Sequence, residues 1–217
     1  MMLKLNDTIP PHGGDKILYT GEAPEKAASA MIMIHGRGAT ADSMLPLEDA
    51  LAIENMSYII PQASGFAWYP HRFIEQRELN EPGVSSALRL IGSILDAFNE
   101  FGFTKENIYL LGFSQGACLV ADFAARHTDR YGGIFILSGG LIGKQINGAD
   151  YKGNLDQTPV FLGCSDSDFH IPEERVHESA AIFEQLSATV TKRIYPGMDH
   201  TINEDELAFI RGQIKKA

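Results

Sequence analysis

The feature that most constrains this chain is an alternation of short, continuously apolar runs with longer segments of helical period. Two of the runs are "AMIMIHG" (Ala30 to Gly36) and "GGIFILSG" (Gly132 to Gly139), each of strand length. A strand of this kind must be dry on both faces, as in a parallel sheet that helices cover on both sides. The sequence therefore predicts an α/β fold with a mostly parallel central sheet.

Six runs are predicted to be buried strands, and a weaker seventh, "KILYTG", is predicted to add an antiparallel edge. The remaining predicted strands are Met56 to Gln62, Asn107 to Phe113, Thr158 to Cys164 and "VTKRIYP". The predicted helices are Leu45 to Ile53, Val84 to Phe101, Gln115 to Arg126, Pro172 to Leu186 and Asn203 to Lys215. Two long irregular stretches, Gln62 to Pro82 and Gly139 to Asp156, are candidates for function, because long loops in compact domains often carry it.

The chain shows no Ser/Gly/Pro linker, internal repeat or low-complexity tract, and its 217 residues suit one substantial domain. We therefore expect a single domain over residues 1–217. Hydrophobic residues make up 44% and charged residues 21%, which is typical of a folded globular protein. The net charge of −10 argues against nucleic acid or an anionic membrane surface as a partner.

The N-terminus contains no apolar stretch of signal-peptide length, and no run approaches the roughly 18 apolar residues of a membrane span. Cys118 and Cys164 lie in apolar segments and are too few for a disulfide framework. We expect buried thiols, a cytoplasmic location and no stable membrane association. No strand end carries a convincing zinc-ligand cluster and no G-x-G-x-x-G loop is present, so we expect neither a metal nor an organic cofactor.

Reactive side chains follow four of the predicted strands. In a parallel α/β sheet, ligands gather at the carboxyl ends of the strands. The four strand ends are "HGRG" (His35 to Gly38), "GFSQG" (Gly112 to Gly116), "CSDSD" (Cys164 to Asp168) and "GMDH" (Gly197 to His200). Their agreement favours a catalytic interpretation over four independent turns.

The "GFSQG" stretch closes a predicted strand and opens a predicted helix, which is the context of a nucleophile elbow. In an elbow Ser114 holds a strained backbone, and Gly112 and Gly116 let the neighbouring strand and helix approach closely. The alternative is a serine that caps the helix, with glycines that form the turn. A serine hydroxyl is a poor nucleophile without a base, so the elbow requires an acid and a histidine later in the chain.

Four histidines follow Ser114. His127 falls at the far end of the helix that Ser114 begins, and His177 lies within a later helix. His170 is too close to the candidate acids to pair with either of them. His200 lies in the loop between the last strand and the last helix, where its imidazole can reach over the serine. It is the predicted base, with a histidine that caps the last helix as the alternative.

The acid must come from the preceding strand end, which offers Asp166 and Asp168. Its role is to accept the Nδ1 hydrogen of His200, which fixes the tautomer and stabilises the imidazolium. Spacing alone does not separate the two aspartates, and the unused one is expected to form a turn.

Ester hydrolysis passes through an oxyanion, which two backbone N–H groups usually hold. We expect one from Gln115, the residue after the nucleophile, and one from Arg37, where Gly36 and Gly38 let the backbone turn its amides inward. A plain glycine turn is the alternative for "HGRG".

The loop Ser64 to Phe73 is expected near the catalytic face. Its aromatic residues Phe66, Trp68, Tyr69 and Phe73 are predicted to line an acyl or aryl pocket, with loop side chains that pack on the domain as the alternative. The charged or titratable side chains that could recognise an anionic or polar part of the substrate are Arg37, His71 and Arg72.

The motifs together resemble the phospholipase/carboxylesterase branch of the α/β-hydrolases, which includes the acyl-protein thioesterases. "IHGRGA", "WYP", "LLGFSQGA", "DFHIP" and "YPGMDH" occur in the order of that family. The family's acid lies four residues before the proline of a D-P-x-[VI]-P motif, and the resemblance therefore implies that Asp168 is the acid. Ser114 and His200 fall on its nucleophile and histidine.

Several departures from the acyl-protein thioesterases resemble bacterial carboxylesterase-like members. Arg37 and Ala39 stand where a leucine and an aspartate are usual, and Phe169 replaces a proline after the acid. The resemblance implies the α/β-hydrolase fold and hydrolysis of esters or thioesters of small acyl substrates through an acyl-enzyme, in a monomer or homodimer. The alternatives are an acyl-protein thioesterase or lysophospholipase, a peptidase, a non-enzymatic binding protein, or a lactone hydrolase of dienelactone-hydrolase type, although that group normally uses a cysteine nucleophile.

Overall fold

A computed structural model describes residues 5–214 and contains a seven-stranded sheet. The strands are β1 (Ile17–Gly21), β2 (Ser29–Ile34), β3 (Met56–Pro61), β4 (Ile108–Phe113), β5 (Gly133–Leu137), β6 (Pro159–Ser165) and β7 (Thr189–Tyr195). Their order across the sheet is β1-β3-β2-β4-β5-β6-β7. The order places β4, which leads into Ser114, at the centre of the sheet.

The strands are connected by five α-helices within the described residues. They are α1 (Leu45–Leu51), α2 (Gly83–Glu100), α3 (Gln115–Arg126), α4 (Glu173–Gln185) and α5 (Glu204–Ile214). Each was predicted: the ends of α3 match the prediction, and the described ends of the others differ from it by at most two residues. The predicted end of the last helix at Lys215 lies outside the described residues.

Strand β1 is the antiparallel edge that the sequence predicted. It pairs antiparallel with β3, with Ile17 opposite Pro61, while the five other neighbouring pairs are parallel. The parallel pairs bring the carboxyl ends of β2, β4, β5, β6 and β7 to one edge of the sheet. All four predicted reactive strand ends therefore lie at that edge.

Alternate residues of β2 show why the central runs are apolar at every position. Ile32 and Ile34 face a core shared with α2, α3 and α4, whereas Met31 and Met33 face a second core shared with α1 and α5. Full burial of one such side chain stabilises the fold by about 1.5–3 kcal/mol. Helices on both faces thus account for the absence of polar alternation in β2.

Strand β7 departs from this pattern, because none of its seven residues is buried. Among the strands of residues 5–214, it stands last in the sheet and pairs with β6 alone. The expectation that all six runs are dry on both faces is therefore wrong for β7, where charged residues such as Lys192 and Arg193 reach solvent.

Helix α2 contains the apolar face that its spacing predicted. Leu88, Ile91, Leu95 and Phe98 are buried in the larger core, and Phe101 follows the last helical residue. None of the helices within residues 5–214 is both long enough and apolar enough to cross a lipid bilayer.

Candidate active site

Ser114 lies between β4 and α3 with backbone angles φ 55° and ψ −119°. A positive φ is costly for a residue with a Cβ, by about 1–3 kcal/mol, and such strain persists only where the surroundings enforce it. The Ser114 amide donates to Leu137 O at 3.0 Å, and its carbonyl accepts from Cys118 N at 3.1 Å. These bonds hold the strained residue between β5 and the first turn of α3.

The flanking glycines are required by close approach of backbone to backbone. A Cβ on Gly112 would lie 2.4 Å from Gly116 O, and a Cβ on Gly116 would lie 2.1 Å from Ile34 O. No larger residue fits either position unless β2, β4 or α3 moves. The Ser114 side chain makes no capping hydrogen bond to the helix, so the alternative of a simple serine cap is not what the chain adopts.

Ser114, His200 and Asp168 come together at the carboxyl edge of the sheet. Ser114 Oγ lies 2.8 Å from His200 Nε2, and His200 Nδ1 lies 2.6 Å from Asp168 Oδ2. An ionised carboxylate only accepts hydrogen bonds, so the proton of a neutral imidazole resides on Nδ1 and leaves Nε2 to accept from the serine hydroxyl. This tautomer is the one that a general base needs.

Asp168 is also held by the chain that follows it. Its Oδ1 accepts from His170 N at 2.8 Å and from Ile171 N at 3.2 Å. Burial opposes ionisation of the carboxyl group, but the hydrogen bonds from His200 and from the two amides outweigh it and keep the pKa of Asp168 below its usual value. The carboxylate is therefore ionised at neutral pH.

Asp166 makes a different contact. Its Oδ1 accepts from Gly197 N at 2.9 Å and so joins the end of β6 to the turn that carries His200. The side chain of Asp166 thus supports the histidine loop from the turn, while Asp168 touches the imidazole itself.

The His200 loop ends in a capping box at the start of α5. Asn203 Oδ1 accepts from Glu206 N at 3.0 Å, and Glu206 Oε2 accepts from Asn203 N at 2.9 Å. Burial raises the pKa of Glu206 to about 7. The box fixes the helix start three residues after His200, and the imidazole also packs against Phe113, with ring centroids 5.0 Å apart.

The predicted oxyanion-hole residues flank the serine. A Cβ on Gly36 would lie 3.3 Å from Ser114 Cβ, so the turn after β2 touches the nucleophile directly. Among the hydrogen bonds of residues 5–214, the amides of Arg37 and Gln115 have no acceptor. The Gln115 amide also belongs to the first turn of α3, where the helix dipole favours negative charge.

A cavity of about 570 Å³ opens onto Ser114 and His200. Tyr69, His71, Arg72 and Phe73 line it, as the sequence predicted. Residues that the sequence analysis did not name as pocket walls also line it, namely Pro70, Glu75, Leu79, Phe113, Cys118, His170 and Ile171. His170 and Ile171 directly follow Asp168, a signal that could have found them, whereas no local signal marks Leu79 or Glu75.

Trp68 and Phe66 are not brought to the cavity wall. Trp68 is 1% exposed, and its indole N–H donates to His35 O at 2.8 Å. The imidazole rings of His12 and His35 pack against it, with centroids 5.1 and 5.0 Å away. A buried indole needs an acceptor for its N–H, and His35 supplies one inside the core, so the prediction of Trp68 as a pocket wall is wrong. Phe66 instead is largely exposed to solvent.

The guanidinium of Arg37 is occupied by the protein itself. Its Nη1 donates to Pro70 O at 2.9 Å and its Nη2 donates to His71 O at 2.6 Å. These two bonds use two of its five N–H donors, and Arg37 also lines the cavity, so its recognition of an anionic substrate stays a prediction.

The two cysteines are free and buried, as the sequence predicted. Burial raises the pKa of Cys118 to about 12, and burial together with the charge of Asp168 raises the pKa of Cys164 to about 12. A neutral thiol is a weak nucleophile, so Cys118 does not compete with Ser114 as a candidate nucleophile. Within residues 5–214, no group of three or more His, Cys, Asp or Glu side chains is arranged to hold a metal ion.

Almost the whole chain resembles proteins of one kind. A sequence model of the family described as Phospholipase/Carboxylesterase matches residues 17–217. The fold is similar to the crystal structure of a phospholipase/carboxylesterase from Dyadobacter fermentans DSM 18053, with 38% identity and a TM-score of 0.91 over 96% of this chain and 99% of that one.

Two curated relatives carry another name. Acyl-protein thioesterase 1 of Kluyveromyces lactis is 32% identical over 139 residues, which are 62% of this chain, and the chain spans only 60% of that protein. Acyl-protein thioesterase 1 of Saccharomyces cerevisiae is 27% identical over 220 residues, which are 89% of this chain and 94% of that protein.

Proposed function

Because the chain belongs to the phospholipase/carboxylesterase family of α/β-hydrolases, we propose that it hydrolyses carboxylic esters or thioesters through a Ser114–His200–Asp168 triad. One observation carries the proposal: a line of hydrogen bonds runs from Ser114 Oγ through both ring nitrogens of His200 to Asp168. A strained serine with a base in contact and an acid behind that base has the parts that acyl transfer needs.

Acylation begins when His200 Nε2 takes the hydroxyl proton of Ser114 as Oγ attacks the acyl carbonyl carbon. The carbonyl oxygen becomes an oxyanion, for which the unpaired amides of Arg37 and Gln115 are available. Asp168 stabilises the imidazolium that has formed. His200 then gives its proton to the leaving alcohol or thiol, and the acyl group remains on Ser114 as an ester.

Deacylation repeats these steps with water as the nucleophile. His200 takes a proton from water, and the resulting hydroxide attacks the acyl-enzyme carbonyl under the same two amides. When the second oxyanion collapses, His200 returns the proton to Ser114 Oγ and the carboxylic acid leaves. The cycle consumes one water and requires neither a metal nor an organic cofactor.

The substrate proposed is a small acyl ester or thioester with an apolar portion. A cavity of about 570 Å³ has room for a compact ligand. The large apolar side chains that are most exposed within residues 5–214 are Phe66, Leu79 and Phe169, at 55%, 50% and 93%. Leu79 lines the cavity and so contributes apolar surface beside Ser114.

Thioester hydrolysis on acylated proteins is a second candidate, favoured by the similarity to acyl-protein thioesterases. The same triad serves both leaving groups. A panel that sets p-nitrophenyl esters beside an S-acylated peptide, a lactone and a peptide substrate separates these activities from one another. A preference for the S-acylated peptide over the simple esters would select the second candidate.

We further infer a single α/β-hydrolase domain over residues 1–217 that acts in the cytoplasm as a monomer or homodimer. The single sheet shared by all seven strands supports one domain. The net charge of −10 supports the absence of nucleic acid and of stable membrane association.

The test is hydrolysis of a p-nitrophenyl ester series by the wild type and by Ser114→Ala. We expect the variant to lose at least about 10³-fold in kcat, because the nucleophile is removed. A fluorophosphonate probe should label Ser114 in the folded wild type. Equal rates for the two proteins would exclude the mechanism.

A matched control is Ser138→Ala. Ser138 also follows a strand, β5, and also has a positive φ of 53°, but its buried hydroxyl contacts neither His200 nor Asp168. We expect this variant to keep its activity and its labelling. A loss equal to that of Ser114→Ala would show that any change at a strained strand end abolishes activity.

A further inference from the structure

The segment Trp68–His71 is held by two side chains that belong to the oxyanion-hole residues. The segment has no helix or strand of its own, so its backbone polar groups need partners from elsewhere. Each of its four residues has a backbone group bound by the side chain of Gln115 or of Arg37. We call this segment the clamped segment.

Gln115 binds the first half of the clamped segment much as a neighbouring strand would. Its Oε1 accepts from Trp68 N at 2.8 Å and its Nε2 donates to Tyr69 O at 2.8 Å. The amide is buried, so both bonds are shielded from water. Only a side-chain amide offers an acceptor and a donor side by side at this reach.

Arg37 binds the second half. Two of its nitrogens donate to the carbonyls of Pro70 and His71, and the guanidinium lies over the ring of Tyr69, 5.8 Å from its centroid. The planar fork of an arginine can reach two successive carbonyls, which the single ammonium of a lysine does less well.

A backbone bond adds a third link between the same two regions. Gly38 N donates to Phe66 O at 2.7 Å, just before the clamped segment. The turn after β2 and the first residue of α3 are therefore both joined to the chain that forms one side of the cavity.

We infer that the side chains of Arg37 and Gln115 are positioning residues, which hold their own backbone amides and the clamped segment as one unit. The inference rests on the proposed function, because it concerns the oxyanion that Ser114 chemistry creates. An oxyanion donor is worth about 10²–10³ in turnover and acts only within a narrow range of distance. A clamp between cavity wall and amides keeps the amides at that distance when the cavity is occupied.

A purely structural role would give a different result, and Asn80 provides the comparison. Asn80 holds the same region from the other side, with Oδ1 accepting from His71 N at 2.8 Å and Nδ2 donating to Arg72 O at 3.0 Å. It contributes no amide to the oxyanion hole. Loss of Asn80 therefore loosens the cavity wall without disturbing the donors.

The experiment measures kcat, KM and inhibition by an acyl trifluoromethyl ketone for Gln115→Met, Arg37→Met and Asn80→Ala. The ketone forms an oxyanion on Ser114 and so reports on the hole itself. We expect kcat to fall about 10–10²-fold in the two Met variants, with inhibition weakened by a similar factor, because the amides lose their fixed position. We expect Asn80→Ala to raise KM with kcat within about threefold of the wild type.

Milder variants keep the test decisive if a Met variant does not fold. Gln115→Asn keeps the amide on a shorter side chain, and Arg37→Lys keeps the charge but not the fork. Both should fall between the wild type and the Met variants in kcat. Thermal melts identify any unfolded variant.

Two outcomes would overturn the inference alone. The first is an unchanged kcat in the folded Arg37 and Gln115 variants while Ser114→Ala is inactive. The second is an equal loss of kcat and of ketone binding in Asn80→Ala, which would mean that any loosening of the wall has the same effect. A wild type that hydrolyses no ester and is not labelled at Ser114 would overturn the proposed function, and the inference with it.

Discussion

Two irregular stretches of this protein are held by the same device, an arginine that donates to successive backbone carbonyls. In the pocket loop (Ser64–Phe73), Arg37 binds Pro70 O and His71 O. In the loop between β5 and β6 (residues 139–156), Arg175 of α4 donates to the carbonyls of Leu141, Gly143 and Lys144 at 2.9, 2.7 and 3.2 Å.

The two arginines differ in where they stand. Arg175 is 6% exposed, and its Nε donates to Glu178 Oε2 at 2.7 Å. Arg37 is exposed and lines the same cavity as Ser114. We expect loss of the carbonyl contacts to lower the stability of the fold at the buried Arg175, and to lower the rate of the proposed reaction at the exposed Arg37. Substitution of the two arginines therefore tests separately what the same kind of contact, an arginine bound to backbone carbonyls, contributes to stability and to catalysis.

The largest effect on stability is expected from Arg175→Met. The change leaves three carbonyls without a donor inside the protein, and the free energy of unfolding should fall by about 3–5 kcal/mol. Urea denaturation measures this loss. The folded variant should keep its kcat for p-nitrophenyl esters to within a few-fold, because the Arg175 side chain does not contact the triad.

Glu178→Gln is the control for that change, because it removes the charge of the carboxylate that pairs with Arg175 and leaves the three carbonyls bound. Its loss should stay below about 1 kcal/mol, since the Glu178 carboxylate is 42% exposed. If Arg175→Met lowered the free energy of unfolding no more than Glu178→Gln does, the carbonyl contacts would contribute little to stability.

The two loops are also expected to differ in how their stability depends on pH. His12 Nε2 donates to Trp68 O at 2.8 Å and its Nδ1 accepts from Ser64 N at 3.2 Å, so both ring nitrogens are used in the neutral form. Burial lowers the pKa of His12 and of His35 from 6.5, although backbone carbonyls act in the opposite direction. The unfolded chain therefore binds more protons, and stability is lost as the pH falls below 6.5.

The β5–β6 loop should not share this response, because arginine keeps its charge throughout. Hydrogen exchange at about pH 7.5 and about pH 5.5, corrected for intrinsic rates, should show faster opening at Trp68 in acid and little change at Leu141. His12→Gln should reduce the acid effect. Equal acceleration in both loops would contradict the assignment of the pH response to the histidines.

The smallest stability effect is expected from Arg37→Met. Its guanidinium is exposed, so water can replace it at the carbonyls of Pro70 and His71, and the free energy of unfolding should fall by no more than about 1 kcal/mol. The same variant is the one expected to lose kcat. A stability loss as large as that of Arg175→Met would remove the contrast between the two loops.

Most of the fold could be predicted from the sequence because its signals are local. The apolar runs and helical spacings predicted all seven strands, and the weaker "KILYTG" run was placed correctly as the antiparallel edge. The exposure of β7 was not predictable in this way, because it depends on β7 having no further strand beside it among residues 5–214.

The candidate site was predictable in part. Strand ends and chain order predicted that Ser114 and His200 would meet, and the family resemblance separated Asp168 from Asp166 where spacing did not. Their catalytic roles stay predictions. The burial of Trp68 depends on the carbonyl of His35, 33 residues away in the chain. The hydrogen bond from Arg37 to Pro70 O also joins residues 33 positions apart. Neither leaves a trace in local sequence.

The cysteine in the cavity wall has a consequence for how the protein meets oxidants and electrophiles. With the pKa of Cys118 raised to about 12, only about one molecule in 10⁵ carries a thiolate at neutral pH. Peroxide and iodoacetamide react with the thiolate form of a cysteine. We therefore expect Cys118 to react slowly with both reagents, although it lines the cavity. We therefore expect activity to survive thiol alkylation under conditions in which a fluorophosphonate abolishes it, so that covalent inhibitors of the proposed reaction would act through Ser114 rather than through Cys118.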